Sequence, residues 1–200
     1  MRIEKDFVGD GIYPIFGQLN FLTMTIKSNF LFVLIGNGGT GKTALQKLLI
    51  HKICGIGYDT LPVNRLLNIS HPEIKRKYQN ISFSNRSLQE KMGTYESIEK
   101  YFSDFFEDAD IAFIASHLVV PDVIEIIRNG RQRFFNLYGI FWSNSIAVNP
   151  IENAAIAALD WNERLVINNP HLDDEGQMNK QLDAIADSIV SLIVNRTSVS

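Results

Sequence analysis

The chain has 200 residues, of which 46% are hydrophobic and 20% are charged, so one globular domain can bury most of its apolar surface. Its formal net charge of −3 gives no reason to expect attraction of the whole molecule to nucleic acid or to an anionic membrane. The single cysteine, Cys54, excludes an internal disulfide framework and a cysteine metal cluster, and it suits a reducing compartment.

The N-terminal segment gives no sign of export. Residues 1–25 mix acidic residues, glycines and aromatics and lack the uninterrupted apolar stretch of a secretory signal. No other part of the chain reaches the roughly 18 consecutive apolar residues that indicate a transmembrane helix. We therefore expect a cytoplasmic protein without membrane contact, and we expect residues 1–25 to add one or two strands at the edge of a sheet.

A strand, a glycine-rich loop and a helix follow one another between residues 30 and 53. Residues 30–35, FLFVLI, have the aromatic and β-branched composition of a buried strand in a parallel sheet. From Thr43 onward, apolar side chains recur at helical spacing, which predicts that the loop opens a helix. These side chains are Ala44, Leu45, Leu48, Leu49 and Ile53.

The rest of the chain alternates predicted strands with predicted helices. The predicted strands are 60–67, which contains a proline, 110–120, 137–145 and 164–169. The predicted helices are 95–108, 122–130, 150–161 and 178–195. Residues 68–94 are polar and locally basic, which is typical of a mobile excursion. The alternation predicts an α/β fold, a three-layer sandwich with a mainly parallel sheet, as one domain over residues 1–200 with ligands at the carboxyl ends of the strands.

The loop carries the chemistry of phosphate binding. It matches the pattern G-x-x-x-x-G-K-[ST] through Gly36, Gly41, Lys42 and Thr43. Glycines allow successive N–H groups to point at phosphate oxygens, and the following helix adds its positive N-terminal end. We expect Lys42, as an exposed loop lysine, to reach the β- and γ-phosphates, and Thr43 to offer its hydroxyl to Mg²⁺. The alternative is that residues 36–43 form a glycine-rich turn between strand and helix that binds no ligand, but the complete match to the phosphate-binding pattern makes this less favoured.

Over residues 30–53 the chain resembles the P-loop NTPases. The resemblance implies a P-loop NTPase fold, ATP and Mg²⁺ as cofactors, and a protein partner or a homo-oligomer. ATP is favoured over GTP because the base-reading motif N-K-x-D is absent. The residues that the resemblance implies in nucleotide binding are Gly36, Asn37, Gly38, Gly39, Thr40, Gly41, Lys42, Thr43 and Ala44.

Turnover requires more than the loop, because most P-loop enzymes hold the Mg²⁺ hydration shell with an acid at the end of a buried strand. The strand expected to supply it, 110–116, is followed by His117 and ends in Ser116. We expect Ser116 to touch a metal-bound water, and His117 either to position water beside the metal or to be an ordinary, partly buried histidine. The acids that could approach from elsewhere are Asp59, Asp104, Asp108 and Asp110.

Two branches of the family offer different site residues. The loop GNGGTGKT is similar to the GKGGxGKT form of the ParA/MinD partition and septum-placement ATPases, although Asn37 stands where that group has its signature lysine. LVINNP resembles that group's strand that ends in a base-contacting Asn and Pro. On this resemblance Asn168 or Asn169, with Pro170, lies beside the base.

The second branch is the FtsK/HerA type of DNA-translocating ATPase, which residues 127–145 resemble. This resemblance implies that Arg131 or Arg133 acts across a subunit boundary on the γ-phosphate, and that Ser143 or Asn144 senses it. The alternative is an exposed basic helix end that stabilises its own helix dipole.

Three hypotheses for function follow from these patterns. The first is an ATPase or ATP-dependent switch that acts on a protein or on a DNA-bound assembly, with basic residues at 75–86 and 128–133 as the candidate DNA contacts. The second is a nucleotide-gated binding module with little or no hydrolysis, which the missing strand-end acid favours. The third is a small-molecule kinase whose mobile arginines lie within 75–86.

Overall fold

The computed structural model describes residues 28–62 and 65–198, in which six strands form one sheet of order β2-β3-β4-β1-β5-β6. The strands are β1 (Asn29–Ile35), β2 (Leu67–Asn68), β3 (Asn80–Ser87), β4 (Ile111–Ser116), β5 (Phe135–Trp142) and β6 (Glu163–Ile167). The α-helices are α1 (Lys42–Cys54), α2 (Met92–Tyr95), α3 (Ile98–Asp104), α4 (Val120–Gln132), α5 (Ser143–Val148), α6 (Pro150–Ala157) and α7 (Glu175–Ser198). The edge strands expected at 1–25 lie outside the described residues.

Parallel pairing at the centre of the sheet aligns the strand ends. β1 pairs with β4 from Phe30 opposite Ile111 to Ile35 opposite Ser116, and on its other side it pairs with β5. Among the described strands, only β2 runs antiparallel to its neighbour, β3. The segments that follow β1, β4 and β5 therefore leave the sheet at one edge, which we call the carboxyl edge, and the opposite one is the amino edge.

Both faces of the sheet are covered by helices, which explains why β1 and β4 are continuous apolar runs. On one face Phe32, Leu34 and Phe113 pack against α1 and α7, and on the other face Leu31 and Val33 pack against α3, α4 and α6. The rings of Phe32 and Phe113 stack at 4.7 Å between centroids. The α/β class and the mainly parallel sheet are thus confirmed, and the arrangement is compatible with three layers.

Residues 68–94, where we expected an excursion, contain the second residue of β2 and all of the inner strand β3. Their polarity does not reflect exposure, because Ser82, Ser84 and Ser87 are all buried. The register of β3 on β4 shifts between Phe83 and Ser87, and within this irregularity the backbone N–H of Ala115 donates to Ser84 Oγ at 2.8 Å. A serine hydroxyl therefore takes the place of a ladder acceptor.

The bounds of three predicted strands also differ from the structure. The strand expected at 110–120 ends at Ser116, and Val120 already begins α4. Of the strand expected at 60–67, the described residues show only the start of β2, Leu67–Asn68, and residues 63–64 lie outside the described part of the chain. β5 ends at Trp142, and residues 143–145 begin α5 instead of extending the strand. A polar Ser-Asn-Ser sequence after a buried strand suits the first turn of a helix as well as a strand end, so the sequence alone did not separate them.

The long helix α7 lies along α1. Lys52 Nζ of α1 makes ion pairs with Asp183 and Asp187 of α7, each at 2.8 Å, and hydrogen bonding to these carboxylates raises the pKa of Lys52. The buried side of α7 carries Ile189 and Ile193. In the part of the chain that the structure describes, no helix has the length and apolar content needed to span a membrane.

Gly130 tests how tightly α4 packs on the sheet. A Cβ at this position would lie 2.6 Å from Leu137 Cδ2 and 2.9 Å from Leu31 Cδ2, both in fully buried side chains. We expect Gly130→Ala to lower the free energy of unfolding, because overpacking costs about 1–3 kcal/mol and exceeds the roughly 1 kcal/mol gained in helix propensity.

Gly93→Ala is the matched control, since Gly93 is also helical and a Cβ there meets nothing within 4 Å. It should leave stability unchanged or raise it. Urea unfolding of both variants provides the comparison, and a Gly130→Ala variant as stable as the wild type would show that α4 does not pack as described.

Candidate functional site

The glycine loop, residues 36–43, connects β1 to α1 at the carboxyl edge. Gly39 and Gly41 have φ angles of 81° and 95°, in the left-handed region that L side chains rarely adopt. At Gly41 a Cβ would also lie 3.3 Å from Leu182 Cδ2. α1 begins directly after Gly41 without a side-chain cap, so the N–H groups of its first turn have no partner within the helix.

Lys42 folds back over this loop. Its Nζ donates to the carbonyl oxygens of Gly36 and Asn37, the latter at 2.8 Å, and lies 3.3 Å from Thr40 Oγ1. Only 8% of Lys42 is exposed, so the expectation of an exposed loop lysine is wrong. The reason is that the loop wraps around the side chain and satisfies its N–H donors with main-chain oxygens.

The ammonium group of Lys42 is sensitive to its surroundings. Burial lowers its pKa to about 8, and the negative charge of Glu90 opposes part of this shift. The hydrogen-bond partners of Lys42 are neutral oxygens. At neutral pH the group is still mostly protonated, so the loop holds a buried positive charge whose bonded partners carry no compensating negative charge.

A cavity of about 340 Å³ lies beside the loop. It is lined by residues 38–44, by Arg86, Ser87 and Glu90 from the end of β3 and the turn after it, and by Ala115 of β4. Ser87 is 2% exposed, and in the described part of the chain its Oγ has no hydrogen-bond partner. A buried hydroxyl without a partner is unfavourable, so this atom is available to a polar group that enters the cavity, such as a water or a ligand.

Ser116, the predicted residue at the end of β4, already has hydrogen-bond partners within the chain. Its hydroxyl accepts a hydrogen bond from Gln89 Nε2 at 3.1 Å and donates to the carbonyl of His117 at 3.0 Å. Gln89 Oε1 in turn accepts from the His117 N–H at 2.9 Å. Ser116 is fully buried and fastens a 3₁₀ helix, Leu88–Lys91, to the sheet.

His117 contacts a carboxylate instead of the glycine loop. Its Nε2 lies 3.1 Å from Glu90 Oε1, and its side chain is 26% exposed. This is a partly buried histidine with a satisfied ring nitrogen, and its partner lines the cavity. Sequence reasoning missed Glu90 because residues 68–94 were interpreted as an excursion; an acid just after a strand would have been the signal.

Of the four acids expected to approach, only Asp59 lies at the carboxyl edge. It lines a second cavity of about 340 Å³ that adjoins the first and shares Thr43, Arg86 and Glu90 with it. Asp108 pairs with Arg133. Asp110 accepts from the backbone N–H of Asn80 at the amino end of β3. Asp104 accepts from the adjacent Ser103 hydroxyl.

Asn169, and not Asn168, contacts the glycine loop. Asn169 is 4% exposed, and its Nδ2 donates to the Thr40 carbonyl at 3.3 Å. Its backbone N–H donates to Ser143 Oγ at 2.8 Å, which joins the segment after β6 to the start of α5. Asn168 is exposed and lines a groove between β6 and α7. Of the two asparagines that the resemblance left open, the structure places Asn169 against the glycine loop, and contact of either with a base stays a prediction.

Arg131 and Arg133 lie at the amino edge, opposite the glycine loop. Arg131 donates to Asn162 Oδ1 at 2.8 Å and pairs with Asp160 at 3.4 Å, and Arg133 pairs with Asp108 at 3.2 Å. Neither reaches the cavity of its own chain. A catalytic role of Arg131 across a subunit boundary stays a prediction.

The basic spans do not form one patch. Lys75 and Lys77 lie just before β3, at the amino edge, whereas Arg86 lines the cavity at the carboxyl edge. In the span 128–133 each arginine is paired with an acid: Arg128 with Glu125 and Glu99, and Arg131 and Arg133 with one aspartate each. Contact with DNA stays a prediction without support from a continuous cationic surface.

Comparison with models of protein families, with curated proteins and with solved structures found no match. Across residues 28–62 and 65–198, no group of three or more His, Cys, Asp or Glu side chains is arranged to hold a metal ion.

The neighbouring asparagines form a natural pair for mutation. We expect Asn169→Ala to lower the free energy of unfolding by about 1–3 kcal/mol, because it leaves buried polar partners unsatisfied. The exposed Asn168→Ala should stay within about 0.5 kcal/mol of the wild type. Chemical denaturation measures both, and equal effects at the two positions would contradict the inward position of Asn169.

The depressed pKa of Lys42 predicts a pH dependence of stability. Between pH 8 and 10.5 the unfolded state binds a proton at Lys42 that the folded state has released, so the contribution of this group to stability rises with pH in this window. Relative to Lys42→Met, which has no titrating group, the wild type should gain up to about 3 kcal/mol across it.

Urea unfolding of both proteins at several pH values from 7 to 10.5 measures the difference, in which the titration of all other groups cancels. If the difference in the free energy of unfolding between the two proteins does not change with pH, burial does not lower the pKa of Lys42.

Proposed function

We propose that this chain is a P-loop NTPase that binds ATP with Mg²⁺ at the glycine loop. The observation that carries the proposal is the buried Lys42 ammonium, held by main-chain oxygens at the N-terminus of α1 beside a cavity of about 340 Å³. A triphosphate requires a cation and several N–H donors, and the loop with the first turn of α1 supplies both. The unpartnered Ser87 hydroxyl gives the ligand a further polar contact.

The residues present suit a Mg²⁺ ion that arrives with the nucleotide. Mg²⁺ commonly binds through one or two protein side chains, with phosphate oxygens and water completing its shell. Thr43 is exposed in the first turn of α1 and lines both cavities, and Glu90 lines them with it. When bound, the metal neutralises charge on the β- and γ-phosphates.

The output best supported is a conformational switch, with or without hydrolysis. Asn37 of the loop accepts from the Leu118 N–H at 3.5 Å, and Gln89 beside the cavity donates to Asp122 Oδ2 at 2.9 Å. Both contacts reach the segment from the end of β4 into α4. A γ-phosphate at the loop would therefore act on the position of α4, through which a protein partner or a second copy could sense the nucleotide.

A second candidate, phosphoryl transfer to a small molecule, is favoured by the adjoining cavity. It lies on the Thr43 side of the loop and carries Lys47, Asp59 and Arg86, so it offers charges of both signs to a polar acceptor. A transferred phosphoryl group would have to pass between the two cavities, which share Thr43 and Glu90.

The central test is ATP binding by the wild type and by Lys42→Met. We expect the wild type to bind ATP with Mg²⁺ and the variant to lose at least about 30-fold in affinity, since removing one partner of a buried charge pair costs about 2–5 kcal/mol. Isothermal titration calorimetry measures both.

Lys100→Met is the control, because Lys100 pairs with Glu96 at the surface and lies outside both cavities. An unchanged affinity in Lys42→Met, or no ATP binding by the wild type, would refute the proposal. Phosphate release by the proteins that bind ATP, with and without double-stranded DNA, then separates an ATPase from a binding module and tests the DNA hypothesis.

A further inference from the structure

The acid that the end of β4 lacks is present on a neighbouring element. Glu90 lies in the 3₁₀ helix Leu88–Lys91, directly after β3, and it lines both cavities together with Thr43. Its charge is close enough to act on the Lys42 ammonium. β3 is the strand next to β4, so an acid after β3 comes to the same edge of the sheet as one at the end of β4.

The position of Glu90 is fixed by the residues before it. Leu88 is buried in the core, and Gln89 makes three hydrogen bonds, to Ser116, His117 and Asp122, at 2.9–3.1 Å. These contacts bind the 3₁₀ helix to the end of β4 and to the start of α4. Glu90 is therefore anchored by its neighbours although 39% of its own side chain is exposed.

The carboxylate of Glu90 retains capacity for a further partner. Oε1 lies 3.1 Å from His117 Nε2, whereas Oε2 lies 3.9 Å from Arg86 Nη1, beyond hydrogen-bonding distance. Lys42 is satisfied by loop oxygens and does not bond to it. The hydroxyl of Ser87, which lines the same cavity, is buried and has no hydrogen-bond partner among the described residues, so two polar groups line the cavity together with Thr43.

We propose that Glu90 is the residue that holds the hydration shell of Mg²⁺–ATP in this protein, with His117 as the positioning residue that orients its carboxylate. The inference rests on the proposed function. Carboxylates are preferred partners of Mg²⁺ and of its bound water, and Thr43 of α1 and Glu90 of the 3₁₀ helix line the same cavity. The carboxylate expected at the end of β4 would thus be provided by the turn after β3.

The experiment compares the gain in nucleotide affinity that Mg²⁺ provides. Calorimetry with the non-hydrolysed analogue AMP-PNP, in saturating Mg²⁺ and in EDTA, gives this ratio of dissociation constants for the wild type, Glu90→Gln and Glu96→Gln. We expect Glu90→Gln to keep its affinity in EDTA and to lose about 10- to 100-fold of the Mg²⁺ gain, the range seen when residues supporting a metal are removed. Glu96, a surface glutamate paired with Lys100, serves as the control.

Each result has a definite meaning. A full Mg²⁺ gain in Glu90→Gln overturns the role of Glu90 and leaves the proposed function intact. A wild type that binds AMP-PNP equally with and without Mg²⁺ overturns the role of Glu90 and the Mg²⁺ part of the proposed function, and leaves only nucleotide binding. A wild type that binds no nucleotide refutes the proposed function and this inference together. Glu90→Asp, which keeps the carboxylate, should recover part of the gain, and its melting temperature checks that loss in Glu90→Gln does not reflect unfolding.

Discussion

The parallel pairing of β1 with β4 and β5 is the constraint on which the candidate site depends. Because the three strands are in register, the chain leaves β1, β4 and β5 at one edge, and the glycine loop meets both neighbouring connections there. The stacked rings of Phe32 and Phe113 and the apolar layers on both faces hold this register. A one-residue slip would turn these rings to the other face, so the core that stabilises the sheet also determines where the loop lies.

In the glycine loop, the buried charge of Lys42 lowers the stability of the fold but suits the binding of an anion. A buried lysine whose pKa falls to about 8 makes folding less favourable at neutral pH, and an apolar side chain of similar length would avoid this cost. The loop compensates by directing main-chain oxygens at Nζ, which keeps the cation in place beside the cavity. Such a preorganised cation is of little use to the fold and of direct use to an anionic ligand, which supports the interpretation of this loop as a phosphate site.

The sequence predicted the parts of the molecule that local patterns determine. β1, the loop and α1 were predicted because an apolar run, fixed glycines and helical spacing lie within 25 residues of one another. The sequence did not predict β3, because a polar residue such as Ser84 resembles a surface residue although its hydroxyl accepts a hydrogen bond from the neighbouring strand. Since β3 was not predicted, Glu90, which follows it, was not recognised as a site residue. The choice between Asn168 and Asn169 depends on which of two adjacent side chains points inward. The position of Arg131 depends on the direction of α4, which returns it to the amino edge.

The glycine loop is bonded to both of its neighbours, and this explains how a ligand there could affect the rest of the fold. Thr40 accepts from Asn169 on one side, and Asn37 accepts from Leu118 on the other. If the Thr40 carbonyl moves, the segment after β6 that carries Asn169 has to move with it. If the Asn37 side-chain amide moves, the segment before α4 that carries Leu118 has to move. The Gly36 N–H also donates to the Ser116 carbonyl at 3.0 Å, and Gln89, next to Glu90 of the cavity wall, donates to Asp122 of α4. Under the proposed function, a phosphate that reorganises the loop would therefore act on the segment from the end of β4 into α4.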